Sequence, residues 1–172
     1  MKIAKPFCLL LLPLWWLTPL AANALSSDRD QPIDIVADQL QIDDAKHISI
    51  YQGNVDMRQG SLHIKADRVA LYFNAQNELL RLEIQGQPAT LKQTSDAGEP
   101  VSGSARHIIY SDNQLQLKLT GDARFVSNKD SIDSEWITIN TDTDAINAGS
   151  IKGKNRVRML IQPKSGNAKP AQ

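Results

Sequence analysis

The sequence predicts an all-β chain in which many short antiparallel strands form a sheet folded over on itself. Three observations predict it. Apolar and polar residues alternate along most of the length, no stretch keeps the i, i+3, i+4, i+7 apolar stripe of a helix for ~10 residues, and the stretch around Gly53 recurs around Gly121.

From the N-terminus, residues 1–24 read as a secretory signal peptide. Lys2 and Lys5 form a basic start, Phe7 to Leu17 is almost wholly apolar, and Ala22-Asn23-Ala24 is a small-x-small cleavage site, so cleavage is expected after Ala24. Pro13 and Pro19 interrupt the apolar stretch, which is shorter than the ~20 residues a membrane span needs. Cys8 lies inside that stretch, not at a cleavage point where it would take a lipid. Cleavage would remove Cys8, the one cysteine, together with Lys2 and Lys5, and would leave all 19 acidic side chains in place. An exported chain without disulfides must be held by burial and backbone pairing. Its near-neutral charge also argues against nucleic acid, whose binding needs clustered Lys and Arg.

The strands then follow in order. Ile33-x-Ile35-x-Ala37, Ile48-x-Ile50, Val55-x-Met57, Leu62-x-Ile64-x-Ala66 and Val69-x-Leu71-x-Phe73 each give one apolar and one polar face. So do Leu80-x-Leu82-x-Ile84, Leu115-x-Leu117-x-Leu119, Ile132-x-Ser134, Ile137-x-Ile139 and Val157-x-Met159-x-Ile161. Turn residues separate them: Asp43-Asp44, Asn74 to Asn77, Asp96 to Pro100, Asp112-Asn113, Asn128 to Asp130 and Asp142 to Asp144. Residues 25–163 make one domain, and Lys164 to Gln172, rich in Pro, Gly, Asn and Ser, reads as a disordered tail.

A single shift of the sequence along itself lays Tyr51 to Met57 on Leu119 to Phe125, and Ile64, Ala66, Val69 and Leu71 on Ile132, Ser134, Ile137 and Ile139. A degenerate copy runs between them, from Gly86 to Tyr110. Gly53, Gly86, Gly121 and Gly153 recur at nearly even intervals, the mark of stacked repeat units. Within a unit the apolar parity changes, from Leu62, Ile64 and Ala66 to Val69, Leu71 and Phe73. One extra residue at Asp67-Arg68, and again at Glu135-Trp136, is expected to make a bulged corner that keeps both halves facing inward. The unit glycines are expected at those corners, where close approach or positive φ is needed. Trp136 falls at such a corner and is expected to cover it.

In this order and spacing, Gln31-Pro32-Ile33-x-Ile35, Gly53-Asn54-Val55, Gly60-x-x-x-Ile64-x-Ala66-Asp67-x-Val69, Gly86-x-Pro88-Ala89-Thr90 and Leu119-Thr120-Gly121-Asp122-Ala123 resemble the LptA (OstA-like) family of periplasmic lipopolysaccharide transport proteins. The resemblance covers Gln31 to Pro163. It implies a folded-over antiparallel β-jellyroll, repeat-built and open at both ends, whose apolar interior holds the acyl chains of lipopolysaccharide. It further implies periplasmic location and head-to-tail homo-oligomers that bridge the two membranes. Its implied partners are an inner-membrane anchored OstA-like protein of the lipopolysaccharide ABC transporter and the outer-membrane assembly barrel.

On that reading Ile33, Ile35, Leu71, Phe73, Leu82, Ile84, Leu91, Tyr110, Leu117, Leu119, Phe125 and Ile139 line the lipid groove. Each could instead be self-packing core. Hydrocarbon gains about 0.8 kcal/mol per buried CH₂, so a lined groove would remove tens of kcal/mol of exposure during transit. The open edges are expected near Ile33 to Asp38 and Arg156 to Gln162, with Ile33, Ile35, Val157, Arg158, Met159 and Ile161 forming the contact between copies. Two different edges make such a contact heterologous, so it propagates instead of closing.

Sites for chemistry are few. His47, His63 and His107 sit in separate units with no Cys and no His-x-His pair, so no metal site is expected. Asn140 to Asp144 echoes a calcium loop but has Ala145 where glycine belongs and Ile151 where the closing Glu belongs, and is read as a turn. No nucleophile elbow or phosphate loop occurs, so neither catalysis nor a cofactor is expected, and energy for transport would come from a partner. The competing class is an exported carbohydrate-binding or carbohydrate-active β-solenoid, which would need an aromatic platform or a carboxylate pair across a cleft.

Overall fold

A computed structural model describes residues 28, 30–95, 98–150 and 156–163. The signal peptide, Gly153 and the C-terminal tail lie outside them. Among the described residues, ten strands follow one another: β1 (Asp34–Val36), β2 (Gln39–Asp43), β3 (Ile48–Gln59), β4 (Leu62–Phe73), β5 (Leu79–Thr94), β6 (Pro100–Ser111), β7 (Gln116–Ser127), β8 (Asp130–Asn140), β9 (Ile146–Gly149) and β10 (Arg158–Leu160). They form one antiparallel sheet in the order β1-β3-β4-β5-β6-β7-β8-β10. β2 joins β1 on the free side of β3, and β9 joins β10 on the free side of β8. The alternation in the sequence foretold β1, β3, β4, β5, β7, β8 and β10. It gave no sign of β2, most of β6, or β9.

Each long strand bends at mid-length, and the pairing slips there along one continuous crease. Between Gln52↔Arg68 and Val55↔Ala66, Gly53 and Asn54 of β3 stand against Asp67 alone. Gly121 and Asp122 of β7 likewise stand against Glu135 of β8. On β5, Gly86 to Ala89 stand opposite Ala66 and Asp67 of β4, and Gly86 to Pro88 opposite Arg106 of β6. The corner is therefore where parity placed it, but the surplus residues belong to β3, β5 and β7 and not to Asp67-Arg68 or Glu135-Trp136. Gly53 and Gly121 have φ of 78° and 84°, followed by Asn54 at 46° and Asp122 at 52°. Two consecutive left-handed residues turn the strand, a conformation glycine and Asn/Asp adopt at least cost. The halves then close on each other: Leu119, above the crease, packs against Gly103, below it.

The repeat holds in backbone detail. The shift that lays Ile48 on Gln116 also lays Gln59 on Ser127, so β3 and β7 begin and end at equivalent positions. It also matches the 3₁₀ turns that precede them, Asp44–Lys46 and Asp112–Gln114. Left-handed residues recur at the same shift, His47 with Leu115 and Gly60 with Asn128. Asp34↔Arg58 is matched by Ser102↔Val126, and His63↔Lys92 by Ser131↔Leu160. β6 is thus the second unit's version of β1 plus β2, and β10 its version of the lower half of β5.

Leu80 and Leu115, expected on the inward face of alternating strands, are not there. Leu115 is the left-handed residue closing the second 3₁₀ turn, and its side chain is exposed. Leu80 is also exposed, because the β4–β5 register slips between Tyr72 and Phe73 and leaves it outside the inward row.

Candidate functional site

Inward-facing side chains line up across the sheet because register places apolar residue opposite apolar residue in nearly every pair. Below the crease one row reads Ile35, Met57, Ile64, Leu91, Gly103, Phe125, Ile132 and Met159, from β1 to β10. Above it, a second reads Leu40, Tyr51, Val69, Ile84, Ile108, Leu119, Ile137 and Ala148. A third runs from Ile42 through Leu71, Leu82, Tyr110, Leu117 and Ile139 to Ile146, with Ser49 the hydroxyl that interrupts it. The middle of these rows is one continuous core, with Met57, Ile64, Ile84, Ile108, Leu119 and Ile137 at most 1% exposed.

The twelve residues expected to line a lipid groove divide by depth. Leu71, Leu82, Ile84, Leu91, Leu119, Phe125 and Ile139 are buried, all in contact with that core. Phe73, Tyr110 and Leu117 are half-buried and pack on it from the ends of the strands, and Ile35 does so from the edge strand β1. Ile33 precedes β1 and is exposed. Tyr110 turns its hydroxyl to Asp112 Oδ1, donating at 2.8 Å, so its ring stays apolar and its tip meets water at the upper rim. Alternation gave most of these positions, the repeat gave Phe125, and the family resemblance gave Leu91 and Tyr110; Leu40 and Ile42 on β2 and Ile146 on β9 were passed over, lying in short stretches among polar residues.

The rows do not stop at the edges. Leu40 and Ile42 are 55% and 58% exposed on one edge, and Met159 is 56% exposed on the other. Of the residues expected at the contact between copies, Ile35 lies in β1, Arg158 and Met159 in β10, and Val157 and Ile161 just beside β10, both exposed. Neither edge is paired with the other. A monomer normally blunts such edges with charge or covers them, and here the edge strands carry charge at Asp34, Asp43 and Arg158 among the described residues, with Asp38 and Arg156 beside them.

Polar groups outside the interior fix local structure. Asp28 is buried beside the β3–β4 turn, and its carboxylate accepts from Ser61 N–H at 2.9 Å, Ser61 Oγ at 2.6 Å and Gln93 Nε2 at 3.0 Å. Burial alone would raise its pKa, but these donors outweigh burial and hold it below the ordinary Asp value. On the outer face, Asp56 Oδ1 lies 2.9 Å from His63 Nε2 and 3.1 Å from Arg58 Nε. Hydrogen bonds from His63 and then Arg58 keep that carboxyl below the usual range. Asn140 Oδ1 accepts from the N–H groups of Asp142 and Thr143, which makes the calcium-like stretch a side-chain-closed turn. The Trp136 ring lies against Gly149 at the crease, in contact that leaves no room for a Cβ there. Among the described residues no group of three or more His, Cys, Asp or Glu is placed to hold a metal ion.

Comparison with known proteins points one way. Residues 34–145 match the family described as LptA/(LptD N-terminal domain) LPS transport protein. The lipopolysaccharide export system protein LptA of Haemophilus influenzae is 32% identical over 145 residues, covering 83% of this chain and 84% of its own. LptA of Escherichia coli K12 is 32% identical over 141 residues, 81% of this chain and 76% of that one. The crystal structure of LptH, described as the LptA-homologous periplasmic component of the lipopolysaccharide transport device of Pseudomonas aeruginosa, superposes with a TM-score of 0.70 at 27% identity. It covers 80% of this chain and 99% of that one.

Proposed function

The chain belongs to the LptA/LptD N-terminal domain family of LPS transport proteins, and on that premise we propose that it carries lipopolysaccharide between the inner and outer membranes as one link of a periplasmic bridge. The carrying observation is the set of apolar rows that run from edge strand to edge strand and emerge uncovered at both ends. Acyl chains lodged between the two halves of the sheet would be screened from water at about 0.8 kcal/mol per CH₂. The buried positions among the twelve pack on each other. Lipid therefore enters by parting the halves from the rim, where Ile35, Phe73, Tyr110 and Leu117 are half-exposed already. Phosphates and sugars stay outside with the turns.

The edges supply the second half of the proposal. β9 and β10 of one copy continue the sheet onto β1 and β2 of the next, and the same surfaces meet an inner-membrane anchored relative at one end and an outer-membrane barrel at the other. The role is non-enzymatic, and the work of moving lipid comes from a transporter. A photo-crosslinker placed at Tyr110 or Ile33 tests the groove: lipopolysaccharide adducts are expected from both, and adducts from neither would overturn it.

A further inference from the structure

Where the crease crosses β4, β5 and β6, the outer surface opens into a groove of about 330 Å³. It lies on the face opposite the apolar interior. Gln52, Arg68, Gln85 and His107 are successive register partners along its upper side, on four adjacent strands spanning roughly 14 Å. Gln87 and Arg106 stand on the lower side with Asp67, the lining's single carboxylate. Among the described residues, no side-chain hydrogen bond or ion pair engages Gln52, Arg68, Gln85, Gln87 or His107. Arg106 lies over Gly121 and reaches Asp122 at 3.3 Å, with both side chains more than half exposed, a pairing that solvent screens and a ligand could displace.

The second unit furnishes the same crease differently. There, the partners equivalent to Gln52, Arg68 and Gln85 are Thr120, Trp136 and Gly149, and the Trp136 ring fills the space over Gly149. One crease site is plugged by an indole. Its counterpart is left open and furnished with two guanidiniums, an imidazole and three carboxamides.

We infer that this groove binds an acidic saccharide, a run of sugars carrying phosphate or carboxylate. Guanidinium forks pair with such anions in bidentate fashion, and Gln amides offer both donors and acceptors to sugar hydroxyls. The charged and carboxamide side chains of the lining suit a hydrophilic ligand, and the volume lies at the lower end of small-molecule sites. Two sources share this chemistry: the phosphorylated saccharide of lipopolysaccharide and the carboxylate-bearing glycan of the cell wall.

The test titrates the isotope-labelled chain with three probes: deacylated lipopolysaccharide saccharide, soluble cell-wall glycan fragments and a neutral glucose oligomer. Amide shifts centred on Gly86, Gln87, Arg106 and His107 are expected with at least one acidic probe, and which probe binds identifies the source. Affinity is expected to fall about tenfold in Arg68→Gln and in the more exposed Arg106→Gln, to weaken with added salt, and to hold in Lys118→Gln. The inference is overturned if neither acidic probe moves these amides, if the neutral oligomer binds as well, or if both arginine variants bind like the parent. Because no probe carries acyl chains, the outcome is independent of the interior groove.

Discussion

Ser61 holds Asp28 twice, through its N–H at 2.9 Å and its hydroxyl at 2.6 Å, and so ties the segment before β1 to the β3–β4 turn. Removing a buried, multiply bonded carboxylate leaves its donors unpaired. Asp28→Ala is expected to cost about 1–3 kcal/mol. In a chain this size that lowers the thermal midpoint by several degrees.

The same carboxylate gives a pH signature. Its folded pKa lies below its ordinary value, so its contribution is fully present above pH ~4 and is lost as pH falls through the folded pKa. The stability difference between parent and Asp28→Asn, read from urea melts, should be constant near neutrality and shrink below pH ~4. A difference that stayed constant to pH ~2 would contradict this assignment.

At Gly53 the left-handed φ of 78° coincides with a side chain in the way, for an added Cβ would meet Asp38. Gly53→Ala is therefore expected to destabilise by more than the ~1 kcal/mol of backbone strain alone. Denaturant midpoints of Gly53→Ala and of Gly121→Ala, which meets Arg106 instead, measure both.

Gly103 sits between Leu119 and Leu91, with a Cβ position 3.0 Å and 3.3 Å from their nearest atoms. A larger residue overfills the core. Gly103→Val should lower stability by about 1–3 kcal/mol and reduce the yield of lipid crosslinks from Tyr110.

The repeat supplies a register for the contact between copies. Within the chain, β5 pairs with β6 so that Leu91 faces Gly103, and the shift between units turns that pair into Met159 facing Ile35 of the next copy. With no Cys after position 24, a mixture of Ile35→Cys and Met159→Cys chains reports directly. Oxidation should give a disulfide-linked dimer in the mixture. Neither variant alone should do so, and moving the second cysteine to Leu160 should sharply lower the yield.

Much of this architecture was legible because inward and outward residues differ so plainly in strands such as Val69 to Phe73 and Gln116 to Ser127. Parity also located the crease, since Ile64 and Val69 are both buried across an odd step. What stayed hidden has physical causes. β2 and β9 are short edge strands in which Leu40, Ile42 and Ile146 stand exposed, so Gln39 to Asp43 and Ile146 to Gly149 read as polar connections. Leu80 and Leu115 kept the alternation in sequence but lost it in space to a register slip and a left-handed turn. The acidic-saccharide groove was invisible because Gln52, Arg68, Gln85 and His107 lie far apart along the chain and meet only through strand pairing.

The lower inward row, from Ile35 to Met159, contains no hydrogen-bonding side chain at any of its eight positions. A hydrocarbon tail shifted by one strand would find nearly the surroundings it left, so its energy profile along the molecule is close to level and friction is low. On the proposed function, such a track would neither trap its cargo nor prefer a heading, and the sense of travel would be imposed at the loading end, by each newly arriving molecule displacing the one ahead.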